Sequence, residues 1–247
     1  MKLLLALAAV IPALLLLIQV YRADRLEKEP ITMLLGLILC GVIAAELASL
    51  TERAGLWLLS LFLDVSALRS ADSAMVLTSL SRDQALMYAL VMFGVVAVSE
   101  EGFKYLLLRL RTWKSREFNC SFDGIVYAVF LSLGFALWEN IQYVFRYGFT
   151  TALARAVTAV PGHACFGVFM GTWYGAAKRW ALRGRASRSS FCCWMAFLIP
   201  TVLHGFYDYI ALTETARSGV LFLPFIAVLF AASFLMVRHL SNNDSYI

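Results

Sequence analysis

The sequence predicts an all-α, polytopic transmembrane helix bundle of about seven spans, with the amino terminus outside and the carboxy terminus inside. Three observations predict it. Of the 247 residues, 61% are hydrophobic and only 15% are charged, with a mean hydropathy of +0.76. A soluble domain carries about a quarter charged residues. The charges are also bunched, leaving several windows of about 20 nearly uncharged residues, the length that crosses a hydrocarbon core. Finally, the loops 22–30, 109–117 and 178–188, with Arg238, hold 13 Lys and Arg, whereas the opposite loops and ends hold 7. Cytoplasmic loops carry such an excess, which sets the orientation.

The spans follow in order. Residues 2–21 contain LLLALAAVIPALLLLIQV, which has the apolarity of a signal peptide. No small-x-small cleavage site follows, and the charged YRADRLEKEP comes at once, so an uncleaved first span is expected. The second span is 31–50. The run LWLLSLFLDVSAL at 56–68 is too short to cross and is expected to lie at the interface or dip into it. Further spans are expected at 86–108, 122–145, 155–177, 191–213 and 219–237. No internal repeat, low-complexity segment or soluble domain is visible, so residues 1–247 read as one membrane domain. The net charge of +5 belongs to the inner loops and is no nucleic-acid footprint. Five cysteines at 40, 120, 165, 192 and 193 form neither a disulfide framework nor a metal knuckle, and read as small buried hydrophobes.

Charged groups at bilayer depth are costly, so each is a functional candidate. Glu100, Glu101 and Lys104 stand in VSEEGFKYLLL; Glu139 and Asn140 in FALWENIQY; His163 in PGHACFG; His204 and Asp208 in LHGFYDY. They come from the third to sixth spans, within about 86–213. Glu100 and Lys104 are four apart and Glu101 and Lys104 three apart, so the lysine can meet both carboxylates. One lysine cannot neutralise two, which leaves Glu100 as a candidate general base. His204 and Asp208 also share a face. His163 heads the row Gly167, Gly171, Gly175, which invites close approach of another helix. Pro161 and Pro200 precede the histidines and are expected to bend their helices. The bland alternatives are a structural ion pair for Glu101 and Lys104, and helix-gluing hydrogen bonds for Asn140 and Asp208.

Carboxylates and histidines in a shielded pocket suit peptide hydrolysis. Glu100 would deprotonate a water held by one histidine. The other histidine, with Asp208 or Asn140, would stabilise the oxyanion. No serine elbow and no HExxH exists. Two versions of the chemistry stay open: no cofactor, or Zn2+ held by His163, His204 and Glu100. The rival class is a proton-coupled transporter or channel using the same groups as a relay. It is weakened by the absence of symmetry between the two halves of the chain.

The stretches EEGFK (Glu100 to Lys104), FDGIVYAVFLSLGFALWEN (Phe122 to Asn140), HACFGVFMG (His163 to Gly171), HGFYD (His204 to Asp208) and the early DRLEKEP are similar to the PrsW family of intramembrane proteases. That family lies within the wider CAAX-protease and bacteriocin-processing superfamily. The resemblance implies a multi-pass protease of the bacterial cytoplasmic membrane. It implies a single-span, anti-sigma-factor-like substrate cut first on its extracytoplasmic side. It further implies Glu100 as base, Glu101 as supporting carboxylate, and His204 with Asp208 on the oxyanion side. The superfamily's middle FxxxH reads Phe135 to Glu139 here, without a histidine, so His163 is expected to hold the water. Both metal-dependent and glutamate-based mechanisms belong to this superfamily, so the resemblance leaves zinc open. Counting about 1.5 Å per residue puts Glu139, His163 and His204 roughly 9–14 Å below the outer ends of their spans and Glu100 near 21 Å, deeper than its partners.

Overall fold

The computed structural model describes residues 2–61, 82–212 and 216–247. Nine α-helices occur among them: α1 (Lys2–Ala23), α2 (Ile31–Leu59), α3 (Arg82–Val91), α4 (Val98–Thr112), α5 (Asp123–Tyr147), α6 (Phe149–Val157), α7 (Ala159–Leu182), α8 (Ala186–Leu212) and α9 (Ala216–Asn242). A π-helical segment, Met92–Ala97, joins α3 to α4. No strand forms among the described residues. The chain is thus an all-α bundle in which, among the described residues, five helical stretches are long and apolar enough to cross a membrane: Ile31–Leu59, Asp123–Tyr147, Phe149–Leu182 (α6 and α7 together), Ala186–Ala211 and Val220–Asn242. The first expected span is α1, in which Val10–Ala23 forms an apolar stretch. The expected span at 86–108 is the π-interrupted rod that carries Glu100, Glu101 and Lys104.

Three features of the helices differ from expectation. α2 does not stop at 50 but continues to Leu59, taking in the first residues of the 56–68 run, whose remainder lies outside the described residues. The expected span 155–177 is broken at Thr158, where φ −120° and ψ −72° leave the helical region, so α6 and α7 are separate. Pro161 does not bend a helix. It sits in the first turn of α7, where a missing N–H leaves no intrahelical bond unmade.

α5 is the hub, with residues Asp123 to Ala136 buried almost without interruption. Two glycine contacts explain how neighbours come so near. A Cβ on Gly134 would lie 2.3 Å from the Ile38 carbonyl oxygen, and one on Gly41 would lie 2.1 Å from that of Leu131, so α2 and α5 touch backbone to backbone. On the other side of α5, a Cβ on Gly171 of α7 would lie 2.4 Å from the Gly124 oxygen. Helices in lipid gain nothing from hydrophobic expulsion between them, and close packing of small residues supplies the attraction instead. Outward, large apolar residues such as Leu35, Leu39 and Leu110 remain 59–72% exposed, the surface a bilayer covers. At the end of the bundle holding α5's amino terminus, Asp244 accepts from Ser121 Oγ and Phe122 N, both at 2.9 Å, and Ile247 N donates to the Asn119 carbonyl at 2.8 Å.

Candidate active site

α4 begins where the π segment ends, and its first turn presents Ser99, Glu100, Glu101 and then Lys104 inward. π-helical i→i+5 bonds place more residues in each turn than α-helical ones, so the chain advances less per residue. That accounts for part of the depth that simple counting gave Glu100. In the fold Glu100 is level with its partners: its Oε2 lies 3.8 Å from His204 Nε2.

The eight candidates converge. Lys104 Nζ, fully buried, donates to Glu101 Oε1 at 2.7 Å and Glu100 Oε2 at 3.2 Å, and lies 3.1 Å from His163 Nδ1. It also stands 3.8 Å from the centre of the Phe135 ring, whose face attracts a cation. His163 Nε2 is 3.0 Å from Glu139 Oε2, which leaves Nδ1 as the nitrogen that faces the cluster. His204 is fixed from two sides: Nδ1 is 2.8 Å from Glu101 Oε1, and Nε2 is 3.4 Å from Asp208 Oδ2. Phe166 stacks on its ring at 4.8 Å and 20°, and the His163 ring meets it edge-on at 5.2 Å. The expected alternative for Glu101 and Lys104, a structural pair, is present and is at the same time part of the cluster.

Exposure shows where the pocket opens. The side chains of Glu101 and Lys104 are 0% exposed and Glu100 8%, whereas Asp208 and Glu139 reach 17% and 21%. The pocket is therefore most open on the Glu139 and Asp208 side.

Three participants were not foreseen. Arg155 of α6, read as an outer-loop cation, donates from Nη2 to Glu139 Oε2 at 2.8 Å and from Nε to Asn140 Oδ1 at 3.2 Å. Glu52, placed beyond the second span, lies on the extended α2; its Oε1 is buried without a hydrogen-bond partner, in electrostatic range of Glu139, His204 and Asp208. The signal was legible: buried Gly41, Ala44, Ala45 and Ala48 form a helical row that reaches Glu52 one turn later. Phe166 is the third.

The ligand atoms of Glu100, Glu101, His163 and His204 all lie within 4.8 Å of one another. Two imidazoles and carboxylates are the donor types Zn2+ takes. Glu101 Oε2 is buried with no hydrogen-bond partner, so one lone pair in the cluster is uncommitted. The charge balance agrees: among the described residues, Glu52, Glu100, Glu101, Glu139 and Asp208 face Lys104 and Arg155 as fixed cations. The residues therefore fit a dication, although Lys104 Nζ already sits among three of its donors.

The family described as PrsW family intramembrane metalloprotease matches residues 29–237. A relative from Geobacillus kaustophilus, named Protease PrsW, is 32% identical over 225 residues, 91% of this chain and 87% of its own. Its namesake in Clostridioides difficile is 31% identical over 233 residues, 93% of this chain and 88% of its own. The Bacillus subtilis Protease PrsW is 36% identical over 130 residues, 53% of this chain and 57% of its own. No solved structure matches the chain.

Proposed function

Since the chain belongs to the PrsW family and is an intramembrane protease, we propose that the pocket between α4, α7 and α8 is where it hydrolyses a peptide bond of a membrane-anchored protein. The observation that carries this reading is the gathering of Glu100, Glu101, His163 and His204, from three helices far apart in sequence, within 4.8 Å. A proton-coupled transporter, the other class compatible with the buried charges, is not favoured by the family.

Water enters from the Glu139 side and is held against Glu100, beside the Lys104–His163 contact. Glu100 takes its proton as the oxygen attacks the scissile carbonyl carbon, forming the C–O bond. The carbonyl oxygen becomes an oxyanion, and His204, held by Glu101 and Asp208, donates a hydrogen bond to it from Nε2. Glu100 then returns the proton to the departing nitrogen, the C–N bond breaks, and an amine and a carboxylate leave. Glu139 fixes the orientation of His163, and Arg155 holds Glu139. A Zn2+ ion would be held by His163, His204 and Glu100, and would polarise the water and the carbonyl oxygen.

The substrate is a single-span protein of the anti-sigma-factor type, cut on the extracytoplasmic side of a bacterial cytoplasmic membrane. Support comes from where the pocket lies. Glu139, His163 and His204 sit toward the ends of α5, α7 and α8 remote from the basic loops 109–117 and 178–188, which the positive-inside rule puts in the cytoplasm.

Purified protein in proteoliposomes, given a panel of single-span anti-sigma factors, tests the reading. Glu100→Gln is expected to lower kcat by roughly 10²–10⁴, with His163→Ala and His204→Ala comparably impaired. Full cleavage by Glu100→Gln would end the assignment of Glu100 as the base. Cleavage that persists in a strong chelator would remove zinc from the mechanism.

A further inference from the structure

Away from the polar pocket, α1, α5, α7 and α9 enclose a groove of about 790 Å³. Its walls are apolar, with Leu16 and Val20 from α1, Ala164 and Val168 from α7, and Phe230 and Phe234 from α9. Its lining ends in three arginines, Arg22, Arg25 and Arg238, all exposed. α1 and α9 finish side by side there: Arg25 Nη1 donates to Asn242 Oδ1 at 2.8 Å, and Ser241 Oγ donates to the Ala23 carbonyl. Asn242 is neutral, so that contact positions the guanidinium without cancelling its charge. From Arg22 back to Leu16 is about 9 Å along the helix, and from Arg238 back to Phe230 about 12 Å.

We propose that this groove is a binding site for one anionic phospholipid, its phosphate held by Arg22, Arg25 and Arg238 and an acyl chain lying along Leu16, Ala164 and Phe230. Each part of the site matches a part of that ligand. Guanidinium groups present paired N–H donors that suit phosphate oxygens. The apolar length below them accepts hydrocarbon and offers little to a free anion. Basic pockets between transmembrane helices recognise anionic headgroups in this way, each arginine adding affinity near the membrane surface. The site shares no residue with the Glu100 cluster and stands whether or not that cluster is catalytic.

The test uses the full chain, purified in detergent and delipidated. Native mass spectrometry counts bound lipid, and a thermal melt follows stabilisation, as dioleoylphosphatidylglycerol or dioleoylphosphatidylcholine is added. The glycerol lipid is expected to bind as a single tight copy and to raise Tm more than the choline lipid. R22Q/R25Q/R238Q should weaken that copy roughly a hundredfold, whereas R183Q/R185Q/R188Q, in another basic loop, should not. V237W should weaken it by filling the groove while leaving every arginine in place. Equal retention of the two lipids would overturn the proposal, as would equal loss in the two arginine triples. Competition by inorganic phosphate as effective as by the lipid would reduce the site to an anion patch and overturn it too.

Discussion

Lys104 is the one fixed cation inside the Glu100–His204 cluster among the described residues, and two of its contacts are buried carboxylate bonds. Removing one partner of a buried pair costs about 3–5 kcal/mol because the other charge stays behind. Lys104→Met is therefore expected to lower Tm strongly in the presence of a chelator. If the four donors accept Zn2+, added zinc should recover part of that loss, since a dication replaces the ammonium; a melt with and without zinc reads this without any activity assay. An unchanged Tm in Lys104→Met would show that the ion pairs contribute nothing net. Glu52 calls for the opposite expectation. Its Oε1 is buried without a partner, and an unsatisfied buried polar atom costs roughly 1–3 kcal/mol. Glu52→Gln should hold or raise Tm while lowering kcat/KM, because it removes one of five carboxylates that set the field around His204; unchanged values of both would exclude Glu52 from the pocket's chemistry. At this scale the sequence was informative where spacing carried the information. The four-residue interval from Glu100 to Lys104 and from His204 to Asp208 implied shared faces, and each pair meets in the fold, at 3.2 Å and 3.4 Å. Glu52 and Arg155 escaped because a hydropathy window closes on charge: Glu52 ended the expected second span although α2 runs on to Leu59, and Arg155 stands at the end of the short α6.

The π segment Met92–Ala97 lets α3 run into α4 with one residue more than an α-helix would hold. Nothing in MFGVVA marks it: the run holds no proline and reads as an ordinary apolar helix. Its presence was legible only as a discrepancy, the excessive depth that uniform counting assigned to Glu100. A π segment behaves as one residue inserted into an α-helix. Deleting Gly94, where an added Cβ would meet nothing within 4 Å, should restore α-helical hydrogen bonding. The wider π turn absorbs that extra residue, so its removal should leave α4 facing as it does now. Cleavage should then persist while circular dichroism shows the helix content kept. Loss of cleavage with that content kept would mean that the π backbone itself, and not the register of α4, is needed to seat Glu100.

Across the whole molecule, acidic groups lie at both ends of the bundle, and those far from the pocket contribute to its response to pH. Asp24 and Glu29, in the turn between α1 and α2, are buried at 0% and 5% exposure. Burial pushes Asp24 up to about 6 against the pull of Lys28, and Glu29 up to about 7. A carboxyl whose folded pKa is raised contributes stability that is complete below its unfolded value, near 4, and is lost as pH rises through the folded value. Tm should therefore fall between pH 4 and 7 from this turn, and Asp24→Asn should flatten that slope and raise Tm at neutral pH. An unaltered slope in the variant would place the pH response elsewhere. The bundle itself was foreseeable from composition because lipid admits few alternatives to closed helical structure. Which helix sits at its centre was not, since α2 and α9 are more apolar than α5; backbone contact at Gly41, Gly124, Gly134 and Gly171 decides that. These contacts also bear on how the protein can evolve. No amino acid is smaller than glycine, so any base change that alters the residue at Gly41 or Gly134 adds at least a methyl group where 2.1–2.3 Å is available. Drift at these positions has no conservative first step, and a lineage could leave them only by a compensating change on the facing helix.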